Sequence, residues 1–129
     1  MTDTRYGHAC LVDESSSKIY VMGGFNKQNM DLSTMEKWNF GVNGRHWLLS
    51  TNLPESVGRS SAVPSKSSTY IGYIAGGWAF GKDKYSSNKI WGLRRQGRDP
   101  TWIEMNQTLK IGRQDHSLVN VPADDMLEC

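Results

Sequence analysis

The first stretch to test for chemistry is Gly76-Gly77-Trp78-Ala79-Phe80-Gly81-Lys82. Its spacing is G-x-x-x-x-G-K, the opening of a phosphate-binding loop in which backbone N–H groups and a Lys hold the phosphates. A β-rich run precedes it, as such a loop requires. Asp83, however, stands where a Ser or Thr hydroxyl would hold the metal, and its charge opposes a phosphate. No helical pattern follows. The histidines His8, His46 and His116 and the cysteines Cys10 and Cys129 are the candidates for metal binding. They form no C-x-x-C and no H-E-x-x-H, the spacings that bring such ligands together. No G-x-S-x-G elbow is present to activate a serine. The sequence therefore assigns no catalytic residue, no metal ligand and no cofactor. Arg94, Arg95 and Arg98, with Lys89 nearby, form a basic cluster. A solvated turn is the default reading, and a patch for an acidic partner is the alternative.

The elements that would position these groups occur twice. Residues 18–24 read Lys-Ile-Tyr-Val-Met-Gly-Gly, and residues 69–77 read Thr-Tyr-Ile-Gly-Tyr-Ile-Ala-Gly-Gly. Each is a β-rich run that stops at paired glycines, and the pairs Gly23-Gly24 and Gly76-Gly77 lie 53 positions apart. Tyr20 recurs as Tyr73, Trp38 as Trp91 and Trp47 as Trp102. Arg5, Arg59 and Arg113 follow each other at intervals of 54, each three residues before His8, Ala62 and His116. A period near 50 with strand signals is the signature of a propeller array. The glycines thus answer to a repeat and not to a nucleotide. His8 and His116, as repeat equivalents, are expected to be held apart.

With these markers in order, the chain resembles the kelch-repeat β-propeller family: a strand ending in Gly-Gly, a spaced aromatic, then a Trp. The residues carrying the resemblance are Gly23, Gly24, Trp38 and Trp47, then Gly76, Gly77, Trp91 and Trp102. Met35-Glu36-Lys37-Trp38-Asn39 is similar to the family's third strand, where an acid precedes the aromatic by two; Lys89 replaces that acid before Trp91. The resemblance implies an all-β fold, a propeller segment of two four-stranded antiparallel blades plus an extra strand. Residues 5–52 form blade one, 53–108 blade two and 109–129 the start of an incomplete third repeat. The fold by itself does not fix function.

Composition sets further limits. A chain of 129 residues with 10% aromatic and 22% charged residues has a globular composition. The formal net charge of +2 is too small to argue for nucleic acid or an acidic membrane. No apolar run approaches about 18 residues, the length of a membrane span. The first residues, Met-Thr-Asp-Thr-Arg, lack the apolar core of a signal peptide. Two cysteines make no disulfide framework, so a reducing, cytoplasmic setting is expected. Asn106-Gln107-Thr108 is a formal glycosylation sequon and carries little weight.

The loop after the second Gly-Gly is the chain's most aromatic stretch, with Trp78, Phe80 and Tyr85 in eight residues; its counterpart holds Phe25. The family resemblance implies that such loops rim one face of the ring and bind a partner protein. Phe25, Trp78, Phe80, Tyr85, Arg59 and Arg113 are the candidate contacts, since aromatics and Arg are enriched at binding hot spots. The competing reading of the arginines, preferred here, is that they tie neighbouring blades through backbone carbonyls. The expected function is non-catalytic protein–protein recognition. The resemblance extends this to substrate recruitment in a ubiquitin-ligase adaptor or to cytoskeletal organisation. The alternatives are a small-molecule-acting kelch-type enzyme and a self-assembling structural ring. Two blades leave their outermost faces bare. A Trp buries about 150–250 Å², worth roughly 4–6 kcal/mol at about 25 cal/mol per Å². Further blades are therefore expected, from a longer parent chain or from copies of this one.

Overall fold

Strand β1 (Ala9–Asp13) shows why the chain folds as sheet: Ala9, Leu11 and Asp13 are buried, and Cys10 and Val12 between them are exposed. This period of two gives the strand one core face. In the computed structural model, which describes residues 1–40, 46–79 and 85–120, a 3-10 turn at Glu14–Ser16 leads into β2 (Lys18–Met22). Then come β3 (Met35–Asn39) and β4 (Leu48–Leu49). The second unit comprises β5 (Ser61–Pro64), β6 (Tyr70–Ala75), β9 (Ile90–Arg94) and β10 (Thr101–Glu104). A hairpin of β7 (Trp78–Ala79) and β8 (Tyr85–Ser86) interrupts it. The first sheet has the order β1-β2-β3-β4 and the second β10-β9-β6-β5, every pair antiparallel. The chain is thus all-β, in two four-stranded meanders, and the described residues do not close a ring. Among them no helix is long and apolar enough to cross a membrane.

The sheets stack face to face. Leu11, Tyr20, Met22 and Met35 of the first meet Ile74 and Leu93 of the second, with Ala62, Trp91 and Trp102 packed against the same cluster. The approach is close enough that a Cβ on Gly72 would lie 2.7 Å from Leu11 Cδ2. Side chains of alternate parity face away from this core. On the first sheet these are Cys10, Val12, Ile19, Val21, Glu36, Trp38 and Leu49, and Trp38 packs on Trp47 with ring centroids 6.3 Å apart.

Strand register corrects the repeat alignment. Trp38 stands opposite Ile19, but Trp91 stands opposite Ile74, whose counterpart Val21 faces Glu36. Trp91 therefore occupies the place of Glu36, and Leu93 the place of Trp38. The cause is length: from Gly23 to Met35 is 12 positions, and from Gly76 to Ile90 is 14, the two extra residues lying in the loop that carries the hairpin. Beyond the loop the offset is 55. Trp102 opposes Leu93 as Trp47, adjoining β4, falls opposite Trp38, so that equivalence holds. The segment at 116–120 carries no strand. It runs beside β5 instead, with Leu118 N–H donating to Ser61 Oγ at 2.9 Å. Phe80 and Gly81–Lys84, the turn at 41–44 and the third repeat beyond residue 120, including Cys129, lie outside the described residues.

Candidate recognition surface at the Gly-Gly ends

The paired glycines end β2 and β6, and each has a left-handed φ: 64° and 90° for Gly23 and Gly24, 63° and 113° for Gly76 and Gly77. This region is open to glycine at no steric cost. Space is as tight as conformation. A Cβ on Gly23 would meet Val57 O at 2.3 Å, and one on Gly76 would meet Arg113 O at 2.5 Å. The N–H of Gly24 donates to Val57 O and that of Gly77 to Arg113 O, both at 2.9 Å. The glycines thus let the link entering each following unit cross directly over the strand end. The second pair has no N–H left for a phosphate. Gly76 donates to Lys89 O, Gly77 to Arg113 O and Trp78 to Gly58 O.

Phe25 is not a surface contact. It is 1% exposed, and its ring fills the space beside Gly58, where a Cβ would lie 2.2 Å from Cε2. The β-bridge between Phe25 and Tyr6 draws it inward, with N–H to carbonyl bonds of 2.9 and 3.0 Å. The hot-spot assignment of Phe25 is corrected accordingly: it is a core residue of the link. Trp78 holds the equivalent position, bridged to Gly58 in both directions, and is half-buried. Gly58 bridges Trp78 as Tyr6 bridges Phe25. Tyr85 is 46% exposed. Its hydroxyl donates to Glu55 Oε2 at 3.4 Å, while the buried Ser87 hydroxyl donates to Glu55 Oε1 at 2.6 Å. Tyr6 and Met30 are also exposed at this end, the Tyr6 hydroxyl bonded to Asn29 Oδ1.

The arginines separate into different roles. Arg5 is buried and donates to Gly23 O at 3.1 Å, Thr34 O at 2.9 Å, Thr34 Oγ1 at 3.0 Å and Glu36 Oε1 at 2.7 Å. It ties the Gly-Gly end of its own sheet. Burial alone would raise the Glu36 pKa, but hydrogen bonds from Thr2, Asp3 and Arg5 hold it below the ordinary value. Arg59 and Arg113 are exposed. Arg59 pairs with Asp115 at 3.3 Å, between two solvent-facing side chains. The hydrogen bonds also shift the equivalences. Val57 and Arg113 both receive the glycine N–H, so Val57, not Arg59, stands between Arg5 and Arg113 in the repeat. Likewise Ser61 pairs with Ala75 as Ala9 pairs with Met22, which puts Ser60, not Ala62, in the place of His8. The sequence marks neither Glu36 nor Glu55 as a site residue. Glu36 was visible only as part of a strand motif, and an acid in a link gives no signal of its partners.

Among the described residues no group of three or more His, Cys, Asp or Glu side chains is placed to hold a metal ion. The surface offers aromatic, thioether and guanidinium groups around backbone-anchored links, an arrangement suited to contact with another macromolecule.

No known family profile matches the chain, and no curated protein is similar to it. Similarity is found among solved structures. The structure of YjhT superposes with a TM-score of 0.70 at 21% identity, over 89% of this chain and 35% of that one. The chain thus spans about a third of the length of that structure, and the likeness is one of fold.

Proposed function

We propose that the chain is a segment of a kelch-type propeller, two blades and the start of a third, that serves in non-catalytic recognition of a partner protein. The observation that carries this reading is the asymmetry of the Gly-Gly end. Phe25 and the glycine pairs are locked into the fold, while Tyr6, Met30 and Tyr85 project from the loops they anchor. Rigid links that display exposed aromatics lose little entropy on binding. Arg59 and Arg113 add charge at the same rim, and Trp78 supplies a half-covered ring beneath it. The uncovered sheet faces are assigned, on the same reading, to further blades, from a longer parent chain or from other copies. In its finer form the reading makes the chain part of a cytoplasmic substrate recruiter of the ubiquitin-ligase type. The test is to compare wild type with Tyr85→Ala and Tyr6→Ala for a co-purifying protein, with melting curves for each. A partner whose affinity falls at least about tenfold in either variant, with the melting midpoint unchanged, supports the reading. A partner bound equally by all three overturns it.

A further inference from the structure

At the opposite end of the sheets, the β1–β2 and β5–β6 turns face each other across a cleft of about 890 Å³. That is the size of a small-ligand site. Val12, Pro64 and Ile71 supply its apolar lining, and Ser65, Ser67, Lys66, Asn120 and Arg95 its polar one. Arg95 is held in a fixed pose. Its Nη1 donates to Asp13 Oδ2 at 2.6 Å, and its backbone N–H donates to Thr69 O at 2.8 Å, joining it to the β5–β6 turn. The Asp13 side chain is 2% exposed, against 30% for that of Arg95. Asp13 also accepts the hydroxyls of Ser15 at 2.7 Å and Ser16 at 2.5 Å. A buried carboxylate with this many donors serves to aim the guanidinium, whose remaining N–H groups have no partner among the described residues.

The cleft is rich in donors. Ser65 Oγ accepts the N–H of Ser67 and Ser67 Oγ that of Thr69, both at 3.0 Å. Each oxygen is thus engaged as an acceptor and leaves its own O–H to give. Lys66 adds an ammonium group. Glu14, also on the lining, and Asp13 balance the two cations, so the lining is neutral overall and an anion is favoured only locally, at the remaining N–H groups of Arg95. A planar guanidinium matches a carboxylate through two parallel hydrogen bonds. We propose that this cleft binds the carboxylate of a Glu or Asp side chain in an extended peptide, with Arg95 as the anchor and the Ser65–Ser67 turn receiving peptide carbonyls. The volume of the cleft and its apolar lining exceed what a lone carboxylate would fill. This site is separate from the Gly-Gly surface and does not rest on it.

The experiment is an amide and arginine side-chain NMR titration with the capped peptide acetyl-Ala-Glu-Ala-amide. Acetyl-Ala-Gln-Ala-amide and acetate serve as parallel probes. The Glu peptide is expected to shift the amides of Ser65, Ser67 and Thr69 and the Arg95 side chain, at an affinity at least about tenfold above both other probes. Arg95→Gln should abolish the shifts, and Arg98→Gln, on the same turn but outside the lining, should keep them. The double variant Asp13→Asn, Arg95→Gln leaves no buried charge unpaired, so it tests the anchor in a chain whose folding is preserved; it too should lose the shifts. Equal binding of the Gln peptide, equal binding of acetate, or shifts that survive in either Arg95 variant would overturn the proposal.

Discussion

Arg59 donates its backbone N–H to the carbonyl of Gly7 across 2.6 Å, and both residues hold a left-handed φ, 55° and 61°. Asp115 repeats the geometry one unit on: its N–H donates to Arg59 O at 3.0 Å, at a φ of 53°. Three successive links thus share one backbone conformation, and only the first fills it with the residue that adopts it freely. The hydrogen-bonded ladder, not side-chain identity, sets the spacing of the units. The strain it imposes costs about 1–2 kcal/mol at a residue with a Cβ.

Arg59→Gly relieves that strain at the expense of a more flexible unfolded chain, which costs about 0.5–1 kcal/mol. The exposed pair with Asp115 contributes little. The substitution is therefore expected to be neutral or to stabilise by up to about 1 kcal/mol, and Gly7→Ala to destabilise by about 1–2 kcal/mol. Urea melts of the two variants check this. A clear loss of stability in Arg59→Gly would assign the position to its side chain after all.

Gly23→Val and Gly76→Val are expected to be severe, because a Cβ there meets a carbonyl oxygen at 2.3 and 2.5 Å in addition to the left-handed φ. Losses above about 3 kcal/mol mark such combined effects. Gly97→Ala is the control. It shares a positive φ of 47° but has open space around it, so about 1–2 kcal/mol is expected. Equal melting midpoints for Gly23→Val and Gly97→Ala would remove the crossing link as the cause.

The strands β2 and β6 are legible as β-rich runs, and the glycine pairs mark where each of them ends. What misled was counting along the chain. The 53-residue spacing of Trp38 and Trp91 matched two tryptophans that occupy different places, because two extra residues lie in the second loop. The arginine spacing of 54 failed in the same way: the links between units differ in length, and Val57 carries no visible sign of equivalence to Arg5 and Arg113. The burial of Phe25 depends on Gly58, thirty-three positions away. The Asp13–Arg95 pair spans eighty-two, and no local pattern encodes such a contact.

Trp47 and Trp102 are equivalent in register yet face different surroundings. Trp102 packs against the core between the sheets, and its indole N–H donates to Thr51 O at 3.4 Å. Trp47 lies with Trp38 on the side away from that core. Trp102→Ala is expected to cost about 3–5 kcal/mol, as large core aromatics do. Trp47→Ala is expected to cost about 1 kcal/mol, nearer the range of ordinary substitutions. Denaturant midpoints separate the two. Similar losses would mean that a further unit already covers the Trp47 face under the conditions of the measurement.

Stability should fall in two steps on acidification. Burial and the nearby Arg5 lower the His8 pKa, and burial and Arg113 lower that of His116. A histidine whose folded pKa lies below its unfolded value of about 6.5 binds fewer protons folded than unfolded, so stability is complete above about pH 6.5 and declines as the pH falls below it. For the carboxyl groups, burial would raise the pKa of Asp13 and Glu36. Arg95 and the Ser16 and Ser15 hydroxyls outweigh it at Asp13, and the Thr2, Asp3 and Arg5 bonds outweigh it at Glu36, so both are lowered. Their contribution is complete above the unfolded values of about 3.9 and 4.3 and is lost as the pH falls through the folded ones. Both steps have the same sign, and among the described residues the first belongs to His8 and His116. His8→Gln with His116→Gln should flatten the melting midpoint between about pH 6.5 and 5 and leave the lower step in place. Glu36→Gln should do the reverse: it weakens the lower step and, by leaving buried Arg5 with only the half-exposed Asp3 at 3.8 Å as its counter-charge, costs up to about 3 kcal/mol at neutral pH. A midpoint that stays level in the wild type from pH 7 to pH 5 would show that neither imidazole is held neutral by the fold.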